Sequence, residues 1–359
     1  NSLNRFWVAA AAPILLNIVL ITAISLAIWL GFSQRFGAGI ILAVGVAIAG
    51  VAQFVMLWIA VRAAGLKLSL RRPRYTAGVK RLVELGIPGV IAGGITQINI
   101  VIGTMIATLQ AGAVSYLYYA DRLYQLPLGI VGVAIGVVLL PELSRKVRAG
   151  EHATAMDSQN RSLEVALLLT IPAAAALAIA AEPIIRVLFE RGAFTAVDTA
   201  ATAPALAAFA IGLPAFVLIK VFQPAFFARE DTKTPMRYAA VNMLVNVIGS
   251  LALFFTFKEM GRPPHVGIAL ATSIAGWVNA VLLWATLRHR GDFVADRRLL
   301  RNLPIITAAS LAMGAALWFA IPQLAPYFRA ESFLPVQALA LVAIVTLCLF
   351  VFFGLTLAT

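Results

Sequence analysis

The stretch AGAVSYLYYADRLYQLPLGIVGVAIGVVLL, residues 111–140, decides how this chain is read. It is apolar and long enough to cross a bilayer, whose hydrocarbon core takes about 20 residues of helix. Yet it sets an acid and a base side by side, Asp121 and Arg122. An ionised side chain at mid-bilayer costs about 2.5–3.5 kcal/mol on insertion scales, so both groups need a partner or water. They do not serve each other, because adjacent residues on a helix point about 100° apart. Tyr118 and Gln125 lie one turn away from both, which spreads the polarity over a broad sector. Such a sector suits the wall of a water-filled cavity; the other arrangement is that each charge finds a partner on a neighbouring helix and pins the bundle. Pro127 removes one backbone hydrogen bond and favours a kink. Gly129, Gly132 and Gly136 are expected to smooth one side of the helix for close packing.

The rest of the chain fits a membrane setting. It is 62% hydrophobic and 12% charged, with a mean hydropathy of +0.94, against roughly 45–50% and 25% in soluble domains. The sequence predicts an all-α, polytopic transmembrane helix bundle of about ten spans. They cover roughly residues 7–30, 38–61, 83–109, 112–140, 163–181, 199–227, 237–257, 266–287, 303–321 and 336–358. The net charge of +13 is explained by loop basicity rather than by nucleic acid. Twenty of the 28 Lys and Arg fall in the N-terminal segment and in alternate loops from there, and six on the opposite side. By the positive-inside rule both ends of this chain are cytoplasmic. Arg122 and Lys220 are the two cations left inside spans. NSLNRFW, at the start, shows neither an initiator Met nor a signal-peptide pattern, so the chain is expected to be the later part of a longer protein.

Several loops carry local signals. In AREDTKTPMRY (228–238), Thr234 is the expected N-cap of the next helix, with Pro235 at its first position. In EPIIRVLFERGAFTAVDTA (182–200), a short interfacial helix up to Arg191 is expected to stop at Gly192, and Thr195 with Asp198 forms a capping box. The basic segment 65–81 reads as a cytoplasmic anchor on anionic headgroups, compatible with a linker between two bundles. Lys220 either snorkels toward the cytoplasmic end of its span or adds a cation to the cavity. Gln97, Asn99, Gln223, Asn242 and Asn246 are expected to act as hydrogen-bonding glue between helices.

Nothing points to an enzyme. HExxH, GxSxG and a dense His, Asp and Glu set are all missing from the sequence. Cys348 is a single cysteine in an apolar run, and His152, His265 and His289 fall in separate loops, so neither a metal site nor a cofactor is expected. The glycine-rich GIPGVIAGG (86–94) has no Gly-Lys-Ser/Thr and reads as helix packing rather than a phosphate loop.

At YYADRLYQLPLGIVGVAIGVVLLPELSR (118–145), FFAREDTKTPMRYAAVNMLVNV (226–247) and LFERGAFT (188–195) the sequence resembles the MurJ (MviN) family of lipid II flippases, within the multidrug and polysaccharide-lipid exporter superfamily. The resemblance implies fourteen helices in two lobes plus a C-terminal pair, of which this chain would begin near the fifth. Residues 1–64 would be the last two helices of the first lobe, 65–81 the linker, 82–290 the six-helix second lobe and 291–359 the additional pair. It implies alternating-access transport of lipid II, an undecaprenyl-diphosphate-linked peptidoglycan precursor, across the bacterial inner membrane through a cationic central cavity. Asp121 and Arg122 match the family's charged pair, Gln125 stands where several relatives have glutamate, and Lys220 and the loop 229–234 match its pattern. The family's main cavity arginines lie in its first two helices, which this chain does not contain. The expected partners are lipid II, membrane lipids and cell-wall synthesis proteins, with no nucleic acid. An exporter of another polyprenyl-linked glycan or of drugs, and a non-transporting scaffold for cell-wall synthesis, are the competing readings.

Overall fold

A computed structural model describes residues 6–32, 36–64, 76–328 and 333–358. Regular structure among them is helical, and ten of the helices run to 24–36 residues: α1 (Phe6–Trp29), α2 (Phe36–Ala63), α3 (Ala77–Ala107), α4 (Ala113–Arg148), α5 (His152–Ile179), then, after the nine-residue α6 (Ala181–Phe189), α7 (Ala196–Ala228), α8 (Lys233–Glu259), α9 (Pro264–His289), α10 (Arg297–Leu324) and α11 (Leu334–Ala358). Seven candidate membrane spans meet both length and hydropathy requirements among the described residues, and α1 and α3 supply shorter apolar stretches. The chain divides into two compact units between Thr76 and Ala77. Most of the basic segment expected as a linker, residues 65–75, lies outside the described residues.

The first unit is the hairpin of α1 and α2. Its seam is built of small residues: Ala23, Ala27 and Ala49 are buried, and a methyl on Gly45 would stand 3.0 Å from the Ala23 methyl. Small side chains let two backbones approach where no water drives helices together. Trp29, Ile21 and Phe54 face outward, as expected of lipid-facing positions.

The second unit is arranged around α7. Its alanine-rich sequence lets α4, α5 and α9 all approach, and Ala205, Ala210, Ala215 and Ala225 are fully buried along it. At Gly212 a methyl would fall 2.5 Å from Ser273 Oγ, and Ser273 donates to the Ala208 carbonyl at 2.7 Å, so α7 and α9 touch backbone to backbone. Beyond α9 come α8 and then α3. On the other flank α10 and α11 pack over α5 and α6 around Met313, Leu317, Ile344 and Phe352.

Several helix ends differ from expectation. α5 starts at His152, not near 163; α4 continues to Arg148; α10 starts at Arg297, not near 303. Hydropathy marks the apolar part of a helix, whereas these extensions are held by polar contacts. Lys146 bonds Glu142 at 2.7 Å, and Ser158 of α5 donates to the same carboxylate at 2.6 Å. Those two hydrogen bonds, the Lys146 bond first, hold the Glu142 carboxyl below its usual range. His152 and His265 lie in the first turns of α5 and α9, and His289 at the end of α9, rather than in loops. α8 is also not capped as expected. It begins at Lys233, and the Asp231 carboxylate accepts from both the Thr234 backbone N–H (3.0 Å) and its hydroxyl (2.7 Å), so Asp231 supplies the cap and Thr234 sits inside the first turn. The other loop forms as the sequence indicates: α6 ends at Phe189, Gly192 follows with φ +62°, and Asp198 accepts from the Thr195 N–H at 2.7 Å.

Candidate functional site

The polar sector of α4 is organised as two parallel pairs, each spanning one helical turn. Arg122 Nη2 donates to the Tyr118 hydroxyl at 2.8 Å, and its guanidinium lies 4.7 Å from the centre of the Tyr118 ring. Gln125 Nε2 donates to Asp121 Oδ2. Asp121 and Arg122 form no ion pair with each other. Each charge is therefore held by a neutral neighbour one turn away, which is the i,i+4 geometry that a helix allows.

Tyr118, Arg122 and Gln125 are exposed and Asp121 is half-buried. Residues 118, 122, 125, 129 and 132 follow one helical stripe. Gly129 was expected to serve close packing, but a methyl there would meet nothing within 4 Å; the stripe is open at that point. Gly132 does pack, against Lys220 of α7, whose Cγ lies 3.4 Å from where a methyl on Gly132 would stand. Lys220 is exposed, and its stem is laid against α4. The structure thus brings all five site residues expected from the sequence onto or beside one face of α4.

The remaining polar positions divide. Asn246 acts as interhelical glue: its Oδ1 accepts from Ser250 at 3.0 Å on its own helix and from Thr272 of α9 at 3.3 Å. Gln97 is exposed, Gln223 and Asn242 are half-buried, and Asn99 keeps a buried, unpartnered Oδ1. No His, Cys, Asp and Glu group among the described residues has the geometry of a metal site.

Two clusters escaped sequence reading. At one end of the bundle His265 is fully buried, with Nε2 2.8 Å from the Ala201 carbonyl and its backbone N–H donating to Gln110 Oε1 at 3.0 Å, so one residue ties the α3–α4 turn to α7 and α9. At the other end Glu164 accepts from Arg161, Arg298 and Asn302, while Arg161 also bonds Asp296, the N-cap of α10. Arg229 pairs with Asp292 at 2.9 Å and Arg290 with Asp231 at 2.7 Å. Apart from Arg161 and Glu164, three residues apart, these partners are more than 50 residues apart in sequence, so no local spacing announces them.

Long apolar helices around an alanine-rich centre, seven of them candidate membrane spans among the described residues, define a polytopic helical membrane protein. The sequence pattern of the family described as lipid II flippase MurJ matches residues 1–339, and the chain belongs to that family. It is 47% identical over 354 residues to a probable lipid II flippase MurJ of Rhizobium meliloti, covering 99% of this chain and 65% of the relative. It is 50% identical over 317 residues to one of Rhizobium tropici, covering 88% of this chain and 58% of the relative. The chain therefore spans less than two thirds of the length of these relatives. Among solved structures it resembles a lipid II flippase MurJ in an inward closed conformation, with a TM-score of 0.71 and 25% identity over 98% of this chain and 68% of the other. A multidrug resistance MATE family transporter in an outward-facing conformation shares the fold at a TM-score of 0.51 and 17% identity, over 79% of this chain and 65% of the other.

Proposed function

We propose that this chain forms part of a flippase that moves lipid II from the cytoplasmic to the periplasmic leaflet by alternating access, with the α4 stripe and Lys220 lining the path of the head group. The observation that carries the reading is the charge balance of the stripe. Asp121 bonds Gln125 and Arg122 bonds Tyr118, so the two charges form no ion pair, and Lys220 beside Gly132 gives the stripe a net positive formal charge. A diphosphate-sugar head is expensive to move through hydrocarbon, and cations on a hydrated wall offset that cost while the lipid tail stays in the bilayer. Membership of the flippase family supports the substrate. The excess of Lys and Arg in alternate loops supports cytoplasmic placement of both ends of the chain.

The test is the leaflet distribution of lipid II in cells depleted of the protein. Accumulation on the cytoplasmic side, reversed by the wild-type gene and not by Arg122→Ala at equal membrane level, is the expected result. An unchanged distribution rules the reading out.

A further inference from the structure

α2 and α9 end on the same sequence pattern. Residues 55–62 read VMLWIAVR and residues 281–288 read VLLWATLR, which match at Val, Leu, Trp and Arg with identical spacing. α2 is the second helix of the α1–α2 hairpin in the first unit, and α9 is the second helix of the α8–α9 hairpin in the second. In each, the tryptophan lies one turn before the arginine, and the arginine falls in the last turn. Each pattern leads in the sequence into an arginine-bearing segment, residues 67–74 and 290–301.

The same pair is built at both places. The Arg62 guanidinium lies 4.1 Å from the centre of the Trp58 ring, and that of Arg288 lies 5.4 Å from the centre of Trp284. All four side chains are exposed. Neither arginine forms an ion pair among the described residues. A helix end by itself attracts a cation, but it does not demand an indole. Lys258 closes α8 at its other end, one turn after Phe254, and that ring is buried against Ile106 and Ile268 instead.

Stacking covers one face of a guanidinium and leaves its N–H edge free for an acceptor. An indole belongs at the boundary between hydrocarbon and water, and an arginine at a helix end reaches past it toward the headgroups. The acceptor at that depth is a lipid phosphate, which a guanidinium takes with two parallel hydrogen bonds. Charge favours an anionic lipid, because a zwitterionic headgroup carries its own cation beside the phosphate.

We propose that Trp58 with Arg62, and Trp284 with Arg288, are two anionic phospholipid sites, one in each unit, each holding the phosphate of a lipid such as phosphatidylglycerol. They lie apart from the α4 stripe and do not depend on what the protein transports.

The experiment uses purified protein in phosphatidylcholine nanodiscs that contain a small fraction of brominated phosphatidylglycerol, or of brominated phosphatidylcholine with the same chains. Bromine quenches indole fluorescence at short range, so extra quenching by phosphatidylglycerol reports its enrichment beside a tryptophan. Wild-type protein is expected to show this excess, and Trp58→Phe with Trp284→Phe to lose it. Arg62→Gln and Arg288→Gln each weaken phosphatidylglycerol about fivefold at their own site, the factor for one arginine at an anionic surface. Arg262→Gln, at the opposite end of the α8–α9 hairpin, and added inorganic phosphate both leave the excess unchanged. Arg62 and Arg288 are exposed, and matched melting temperatures confirm that the variants are folded. Equal quenching by the two lipids in wild-type protein overturns the assignment. So does an excess that survives the paired Arg→Gln variant, or one that is lost in Arg262→Gln or on adding phosphate.

Discussion

Lys220 of α7 rests its stem on Gly132 of α4, with 3.4 Å between the lysine Cγ and the place a methyl on Gly132 would take. That is ordinary van der Waals contact, so Gly132→Ala should be tolerated. Gly132→Leu must push the lysine stem off the helix. The expected outcome is loss of complementation in a strain depleted of the protein, with normal membrane levels of Gly132→Leu. A fully active Gly132→Leu variant would show that the position of Lys220 is immaterial.

The α8–α9 contact leaves less room. A methyl on Gly267 would fall 2.7 Å from the Leu253 carbonyl carbon and oxygen, which belong to backbone and cannot swing aside. Gly267→Ala is expected to destabilise the protein by about 1–3 kcal/mol, as overpacking does elsewhere. Thermal unfolding in detergent gives the comparison, and Gly129→Ala, where a methyl meets nothing within 4 Å, is the control that should melt like wild type.

Glu164 is the hub that ties α10 to α5. Its side chain is 10% exposed and accepts from Arg161, Arg298 and Asn302. Glu164→Ala removes the acceptor shared by Arg298 and Asn302 and leaves Arg161 with Asp296; because both arginines reach solvent, the cost should be at or below about 1 kcal/mol. Protease cleavage in the 290–296 linker should become faster in the variant. Cleavage at the wild-type rate would mean that the apolar contacts of α10 alone hold the linker in place.

Asp231 gives a pH dependence with a defined sign. Burial pushes its carboxyl up, but hydrogen bonds from Arg290 and Thr234, with the Arg290 charge, outweigh burial and leave it below its usual value of 3.8. A carboxyl lowered by folding adds stability above its unfolded pKa, and that contribution disappears as the pH falls through the lower folded value. Asp231→Asn should therefore melt below wild type at pH 7, and the gap should close at pH values below the lowered pKa. Because the Asp231–Arg290 pair is part-exposed, the difference at pH 7 should be less than about 1 kcal/mol. A gap that persists undiminished in acid would assign the effect to the cap geometry rather than to the charge.

Span positions were the most legible part of the sequence. Apolar runs of membrane length located the ten long helices, whereas helical spacing left Tyr118 and Gln125 as neighbours of both Asp121 and Arg122, and the structure makes the pairs Arg122–Tyr118 and Asp121–Gln125. The capping box at Thr195 was local and readable as well. What stayed hidden depends on contacts between distant residues. The extensions of α4 and α5 rest on Glu142 and Ser158, and the start of α10 rests on an aspartate held by Arg161. The cap of α8 was assigned to Thr234 because Thr is a good capping residue; Asp231 takes the role through a carboxylate that reaches the Thr234 N–H. Gly129 looks like Gly132 in sequence, and only the position of α7 distinguishes the open glycine from the packed one.

The length of α4 has a practical consequence. Thirty-six residues make a rod of about 54 Å, well beyond the roughly 30 Å of hydrocarbon that a span must cross. Its far end is clamped to α5 through Glu142, Lys146 and Ser158, while its near end carries Tyr118 and Arg122. The near end is held as well, since Leu123 and Tyr124 pack into the cluster around Phe209 and Leu213 of α7. A helix of this length carries the Glu142–Ser158 contact beyond the hydrocarbon, where a water-soluble crosslinker reaches it without entering the membrane.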